Sequence, residues 1–266
     1  MIKLGVNSVL FAGLDFATAA RLTKLCGYDG IEVSAIAGMC EHLVLDRWQE
    51  QAGEIRQAAA DNGLALLSME VATLDESRLE KAFAAGKEIG IPLVNVGPGG
   101  KANEPGAIEQ AVATLIARAE LAAKYGITLC CKAHVGSAIF NTTTTLTAMK
   151  AIAHPSFGVD MDPSHIWRAG EAPADALRQV VARVRHVHIR DCKGSGPTPG
   201  AARDQACGRG DIDLMRYFRT LVDARYDGPV CLEVIGAADY SLEQKMAVAA
   251  ESYGYMNACL KSLGAR

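Results

Sequence analysis

A chain of 266 residues, 50% of them hydrophobic, is long enough to bury one large core, as either one α/β barrel or two small domains. A net charge of −3 and a pI near 6.1, with no basic stripe, argue against a nucleic-acid or anionic-membrane footprint and favour small polar substrates. No apolar run nears the roughly 20 residues that span a bilayer. The eight cysteines follow a start, MIKLGVNSVLFAG, that lacks a signal-peptide pattern, so they are expected to be small buried hydrophobes in a reducing cytoplasm.

Strand-like runs recur along the chain: KLGVNS at 3–8, GIEVSA at 30–35, LALLSME at 64–70, PLVNVG at 92–97, ITLCCKA at 127–133, FGVDMD at 157–162, VRHVHIR at 184–190 and VCLEVIG at 230–236. Eight runs at about one βα unit each match a closed (β/α)8 barrel, and the count favours it over an open doubly wound sheet.

Helical patterns fill the gaps and carry stops at their ends. Leu22 and Leu25 lead to Cys26 and Gly27; Leu79, Phe83 and Ile89 lead to Gly90; Leu115, Ala119 and Ala122 lead to Gly126. Pro173 suits the first turn of a helix through Val181, and NTTTT at 141–145 suits a loop and helix cap. Ser241 with Gln244 reads as a capping box for a last helix over Leu242–Leu260. Nothing divides the chain, so residues 1–266 are expected to form a single TIM-barrel domain. The segment 191–211, rich in Gly, Pro and Arg, is expected as a long loop over the carboxyl-end face, a lid or substrate loop.

Strand parity sorts the side chains. Apolar members of each run face the helices, so the polar ones face the barrel: Glu32, Glu70, the trio Cys130, Lys132 and His134, the pair Asp160 and Asp162, the trio His186, His188 and Arg190, and Glu233. An ionised group placed there costs several kcal/mol unless it is paired or metal-bound, so this many at one level imply a site. Asp162, His188 and Glu233 are the leading residues, and an imidazole with two carboxylates suits a divalent ion such as Mn²⁺, Mg²⁺, Co²⁺ or Zn²⁺ with open positions. A hydroxy-ketone chelated there would lose its α-proton to Glu233, and the metal would stabilise the enediolate.

His186, one inward step deeper than His188, reads as a hydrogen-bonded core histidine, and His42 and His154 as surface residues. Arg190 and Asp191 sit at the mouth, to bind an anionic or hydroxyl group or to form a structural ion pair. Glu70 faces the mouth as a hydroxyl partner or second base. VGPGG at 96–100 lacks dinucleotide-binding spacing, and RGD at 209–211 is a chance match.

GIEV at 30–33, VDMDPSH at 159–165, HVHIRD at 186–191, GRGDIDL at 208–214 and YDGPVCLEV at 226–234 resemble the xylose isomerase-like TIM barrels, the sugar phosphate isomerase/epimerase superfamily. The resemblance covers nearly the whole chain. It spans ketose 3-epimerases, hydroxypyruvate isomerase, inosose and dehydroshikimate dehydratases and endonuclease IV. It implies four metal ligands, of which Asp162, His188 and Glu233 match three, a substrate contact from His134, and from His165 a contact with substrate, the favoured reading, or with a second metal. It also implies a homodimer or homotetramer.

Lys132 departs from that pattern, since it stands where the fourth ligand would be a glutamate. Three readings are open: it pairs with Asp162 or Glu233 beside a metal held by fewer ligands, its ammonium replaces the metal as electrophile, or the barrel binds a ligand without turnover. The expected activity is isomerisation or epimerisation of a small sugar, keto sugar or hydroxy-keto acid, with Glu233, Lys132 and His134 catalytic and His165, Glu70 and Arg190 binding substrate. The alternative is a dehydratase or other lyase that shares the first step. A non-catalytic sugar-binding barrel ranks lower. DNA repair ranks lowest, because the chain is acidic and Lys132 replaces a ligand.

Overall fold

The computed structural model describes all 266 residues. The strands are β1 (Lys3–Asn7), β2 (Gly30–Ile36), β3 (Cys40–Glu41), β4 (Ala65–Glu70), β5 (Leu93–Val96), β6 (Thr128–Lys132), β7 (Phe157–Met161), β8 (Val184–Ile189) and β9 (Pro229–Leu232). Between them run α1 (Phe16–Leu25), α2 (Trp48–Asp61), α3 (Glu76–Ile89), α4 (Ala107–Ala123), α5 (Thr142–Ala151), α6 (Pro163–Arg168), α7 (Pro173–Val180), α8 (Leu214–Asp223) and α9 (Leu242–Ser262).

All strands but β3 pair in parallel, in the order β1, β9, β8, β7, β6, β5, β4, β2, and β1 pairs back onto β2 to close an eight-stranded barrel. The eight anticipated runs supply its eight staves. The two-residue β3 folds back antiparallel on β2 outside the cylinder.

The helices bury one stripe each against the barrel. On α8, Leu214, Tyr217, Phe218 and Leu221 recur at helical spacing and are fully buried, each contributing about 1.5–3 kcal/mol over an exposed position. Leu25 departs from expectation: it is 69% exposed, because the inward stripe of α1 runs through Phe16, Ala19, Ala20, Leu22 and Thr23. The capping box at Ser241 and Gln244 forms, Pro173 opens α7, and Asn141 caps α5. All eight cysteines are buried and unpaired, and no helix is long and apolar enough to cross a membrane.

The floor of the barrel is plugged by two bulge residues. Leu67 and Arg185 are extra residues where β4 and β8 slip register against their neighbours. A Cβ at Gly5 or Gly30 would come within 2.5–2.6 Å of the Leu67 side chain or its strand, and one at Gly158 within 2.6 Å of Arg185. Glycine at these points is what lets the plug fit. Above it, the interior is built of polar side chains in two layers.

Candidate functional site

The lower polar layer is sealed. Glu32, Asp160, His186 and His188 have no exposed surface, and they are joined across the cylinder. His188 Nε2 lies 2.6 Å from Glu32 Oε2 and its Nδ1 2.6 Å from Asp160 Oδ2, while His186 bridges Asp160 Oδ1 at 2.9 Å and Ser68 Oγ at 2.9 Å. Asn95 donates to Glu32 at 2.5 Å. Burial opposes every charge here, yet His188 and then His186 hold Glu32 and Asp160 below the ordinary carboxylate range, and those carboxylates hold His188 well above that of a free imidazole. His186 is thus the hydrogen-bonded core histidine expected.

The upper layer opens into a cavity of about 340 Å³ at the carboxyl end of the strands, where barrel sites lie. On its floor the Lys132 ammonium donates to Glu233 Oε1 at 2.8 Å and to Glu70 Oε1 at 3.2 Å, and Asn7 donates to the other Glu70 oxygen at 2.6 Å. Beside them Arg190 Nη2 donates to Asp162 Oδ2 at 2.7 Å and lies 3.2 Å from Glu233 Oε2. Arg190 Nε is anchored on Ser164 Oγ at 2.8 Å, whereas its Nη1 is buried without a partner. Asp162 also caps α6, accepting from the Ser164 amide and hydroxyl at 2.8 and 2.7 Å.

Burial alone would lower the Lys132 pKa, but Glu233 and then Glu70 outweigh it and keep the ammonium charged. Burial would raise Glu233, but Lys132 and then Arg190 hold it well below the usual carboxylate range. For Glu70, burial and the nearby Glu233 win over Lys132, and its carboxyl is pushed up to about 8. Burial and the surrounding cations, Arg190 foremost, press His165 well down, and burial with Lys132 lowers His134, so both rings stay neutral. The two rings stack with centroids 4.1 Å apart on the cavity wall.

Lys132, His134, Glu70, Arg190 and Glu233 therefore share one cavity, as parity suggested, and His165, which only the family resemblance had pointed to, lines it too. His188 does not reach it. Its register partner is Cys231, one inward step below Glu233, so it faces the sealed layer. Asp162, though next to the mouth, has both oxygens engaged.

Three groups of buried side chains bring ligand-type atoms within 4.8 Å of one another: Glu32, His186 and Cys231; Asp160, His186 and His188; and Glu32, Glu70 and His188. None contains Asp162 or Glu233. The set Asp162, His188 and Glu233 does not fit a divalent ion here, because Lys132 and Arg190 hold the carboxylates and the imidazole is turned inward. A dication roughly 4 Å from one buried ammonium would be opposed by about 8 kcal/mol at an effective dielectric near 20.

His42, expected at the surface, is buried, with Nε2 3.0 Å from the Leu14 carbonyl and Nδ1 3.4 Å from the Cys40 thiol; the β3 fold-back covers it. Asp191 forms no ion pair with Arg190. It accepts from the amides of Cys192, Gly208 and Ile212 and so ties both ends of the long loop. RGD is part of this clamp: Asp211 accepts from the Gly194 amide, and Arg209 pairs with Glu251. The loop reaches the cavity through Pro197, Thr198 and Pro199.

Arg168 was missed. Its Nη2 meets His165 Nδ1 at 2.8 Å and its Nη1 donates to the Pro197 carbonyl at 2.8 Å. The signal was its place three residues after His165, on the same helix face.

Among curated proteins, the inosose dehydratase of Clostridium botulinum (strain Alaska E43 / Type E3) is 25% identical over 128 residues, 43% of this chain and 42% of that protein's length. The chain thus spans well under half of that relative. A D-psicose 3-epimerase structure obtained with D-fructose superposes with a TM-score of 0.78 at 17% identity, covering 99% of this chain and 100% of the other. The probable 3-DHS dehydratase of petrobactin synthesis from Bacillus anthracis gives 0.77 at 15% identity over 96% and 99% of the two chains. At such identities the superpositions speak for the fold. The sequence profile of the xylose isomerase-like TIM barrel matches residues 20–259, and with the closed barrel and the polar floor described above, the chain belongs to that family.

Proposed function

We propose that the chain is an isomerase or epimerase that removes a proton next to the carbonyl of a small sugar, keto sugar or hydroxy-keto acid and returns it. The observation that carries this reading is the Lys132 ammonium set between two cavity-floor carboxyl groups, Glu233 and Glu70. A carbonyl oxygen on Lys132 would have its developing negative charge met by a fixed cation in a buried site. As Lys132 turns to that oxygen, its hold on Glu233 loosens, and Glu233 becomes the stronger base it needs to be to take the proton. Glu70, with its carboxyl pushed up to about 8, carries a proton near neutral pH and can deliver it from the other side. The neutral rings of His134 and His165 orient hydroxyls.

The match to inosose dehydratase supports a second reading. A dehydratase shares the first step, and the intermediate then expels a β-hydroxyl as water.

Proton NMR in D₂O with a panel of ketoses, hydroxy-keto acids and inososes tests both. Solvent deuterium entering the substrate carbon with no loss of water is expected for the isomerase, and loss of water for the dehydratase. Lys132→Met and Glu233→Gln should each lower turnover by about 10²–10⁴-fold. Binding of these compounds with neither exchange nor elimination would leave a sugar-binding barrel in place of the enzyme.

A further inference from the structure

We propose that Lys132 and Arg190 together occupy the place of the family's metal, so that this barrel organises its cavity floor without a divalent cation. The inference concerns the same site as the proposed function but does not depend on which reaction runs there.

Of the four carboxylate oxygens that would hold an ion, three accept hydrogen bonds and the fourth, Glu233 Oε2, faces a guanidinium without a hydrogen bond. Asp162 Oδ1 accepts two hydrogen bonds from Ser164, and Asp162 Oδ2 accepts Arg190 Nη2 at 2.7 Å. Glu233 Oε1 accepts Lys132, and its Oε2 faces the same Arg190 nitrogen at 3.2 Å. The guanidinium thus braces Asp162 and Glu233 to each other, which is the task a bound ion performs for two ligand carboxylates.

Neither cation can vacate the floor cheaply. Arg190 is 3% and Lys132 5% exposed, and removing Arg190 would strand buried Asp162 without its counter-charge, while removing Lys132 would leave Glu233 only its longer contact with Arg190. Arg190 is also pinned through Nε to Ser164, on the helix that Asp162 caps. The deeper groups offer no substitute site. His186 Nδ1 and His188 Nε2 sit in hydrogen-bonding contacts of 2.9 and 2.6 Å, and His188 Nδ1 and Asp160 Oδ2, which have no hydrogen-bond partner, lie 2.6 Å apart, so an ion at ordinary coordination distances would have to spread them.

What the pair supplies instead is a fixed, two-centre positive charge for oxygen atoms of a ligand. Lys132 supplies a point charge, and Arg190, a residue of the cavity wall, supplies a planar one whose Nη1 is buried and lacks a protein partner.

The test is metal titration of the full chain after dialysis against EDTA, using Mn²⁺, Co²⁺ and Zn²⁺, followed by calorimetry, melting temperature and elemental analysis. The wild type is expected to carry no stoichiometric metal and to show no saturable binding or rise in melting temperature. The double variant Lys132→Glu with Arg190→Leu is expected to bind Mn²⁺ saturably where the wild type does not, since it frees Asp162 and Glu233 of both cations. If that variant does not fold, the wild-type titration decides alone.

One ion per wild-type chain that is lost in Asp162→Asn would overturn the proposal. An ion that survives that change but is lost in Asp160→Asn would overturn it equally, by placing the ion in the sealed layer. Wherever the NMR panel finds turnover, EDTA should leave the rate unchanged, and a rate restored only by added metal would also overturn it. A panel with no turnover would remove the proposed function and leave the titration result standing.

Discussion

Glu70 lies between Asn7 and Lys132, and its charge is set by which neighbour prevails. Burial and Glu233 push its carboxyl from an ordinary 4.5 up to about 8. Between those values the native state binds a proton that the unfolded chain has released, so this contribution to stability is complete below pH 4.5 and lost as pH rises past 8. Urea midpoints should therefore fall more from pH 5 to pH 8.5 in the wild type than in Glu70→Gln, which keeps the shape of the carboxyl without its titration. Parallel lines for the two proteins would refute the assignment. Parity in LALLSME and ITLCCKA sufficed to place Glu70 and Lys132 in one cavity, because alternation fixes the face of a strand. It did not fix depth. His188 has the right face and the wrong level, since the level depends on how β8 is staggered against β9.

At the scale of elements, the long loop is held by backbone contacts that composition alone does not reveal. A Cβ on Gly210 would lie 2.2 Å from Asp191 Oδ1 and 2.5 Å from the Cys192 backbone. Gly210→Ala should then cost about 1–3 kcal/mol by overpacking, read as a lower melting temperature, with faster proteolysis confined to residues 193–208. A variant as stable and as resistant as the wild type would show that the Asp191 clamp does not hold the loop. The loop itself was legible from its Gly, Pro and Arg content. Its clamp was not, because it joins Asp191 to amides 17 and 21 positions away. Leu25 was misplaced for a related reason: Leu22 and Leu25 fit a helical stripe as pairs, and only the stripe of Ala19 and Ala20 against the barrel decides which of them faces inward.

For the whole molecule, the sealed ion network is the tie that crosses the barrel. Glu32 on β2, Ser68 on β4, Asn95 on β5, Asp160 on β7 and two imidazoles on β8 form one connected set. Asp160→Asn leaves His188 with one carboxylate where it had two and should destabilise the fold by about 3–5 kcal/mol. Asp46→Asn breaks an exposed pair with Lys81 and should cost far less. Urea unfolding of the two variants measures the contrast, and equal losses would mean that the network adds nothing to the barrel. Eight runs about 30 residues apart made the closed cylinder readable, since few architectures use that count. The bulges at Leu67 and Arg185 were not readable, because a register slip leaves no mark in one strand until its partner is known.

Helix α6 begins at the cavity floor, where Asp162 caps it, and ends at Arg168, whose guanidinium holds the Pro197 carbonyl; Trp167 likewise holds that of Gly194. Six residues of helix make a rod about 9 Å long, with one end set in the ion-paired base and the other latched to the roof. Floor and roof are therefore mechanically one piece. A guest that drew Arg190 off Asp162 would load one end of that rod and, through it, the latch on the overhanging segment.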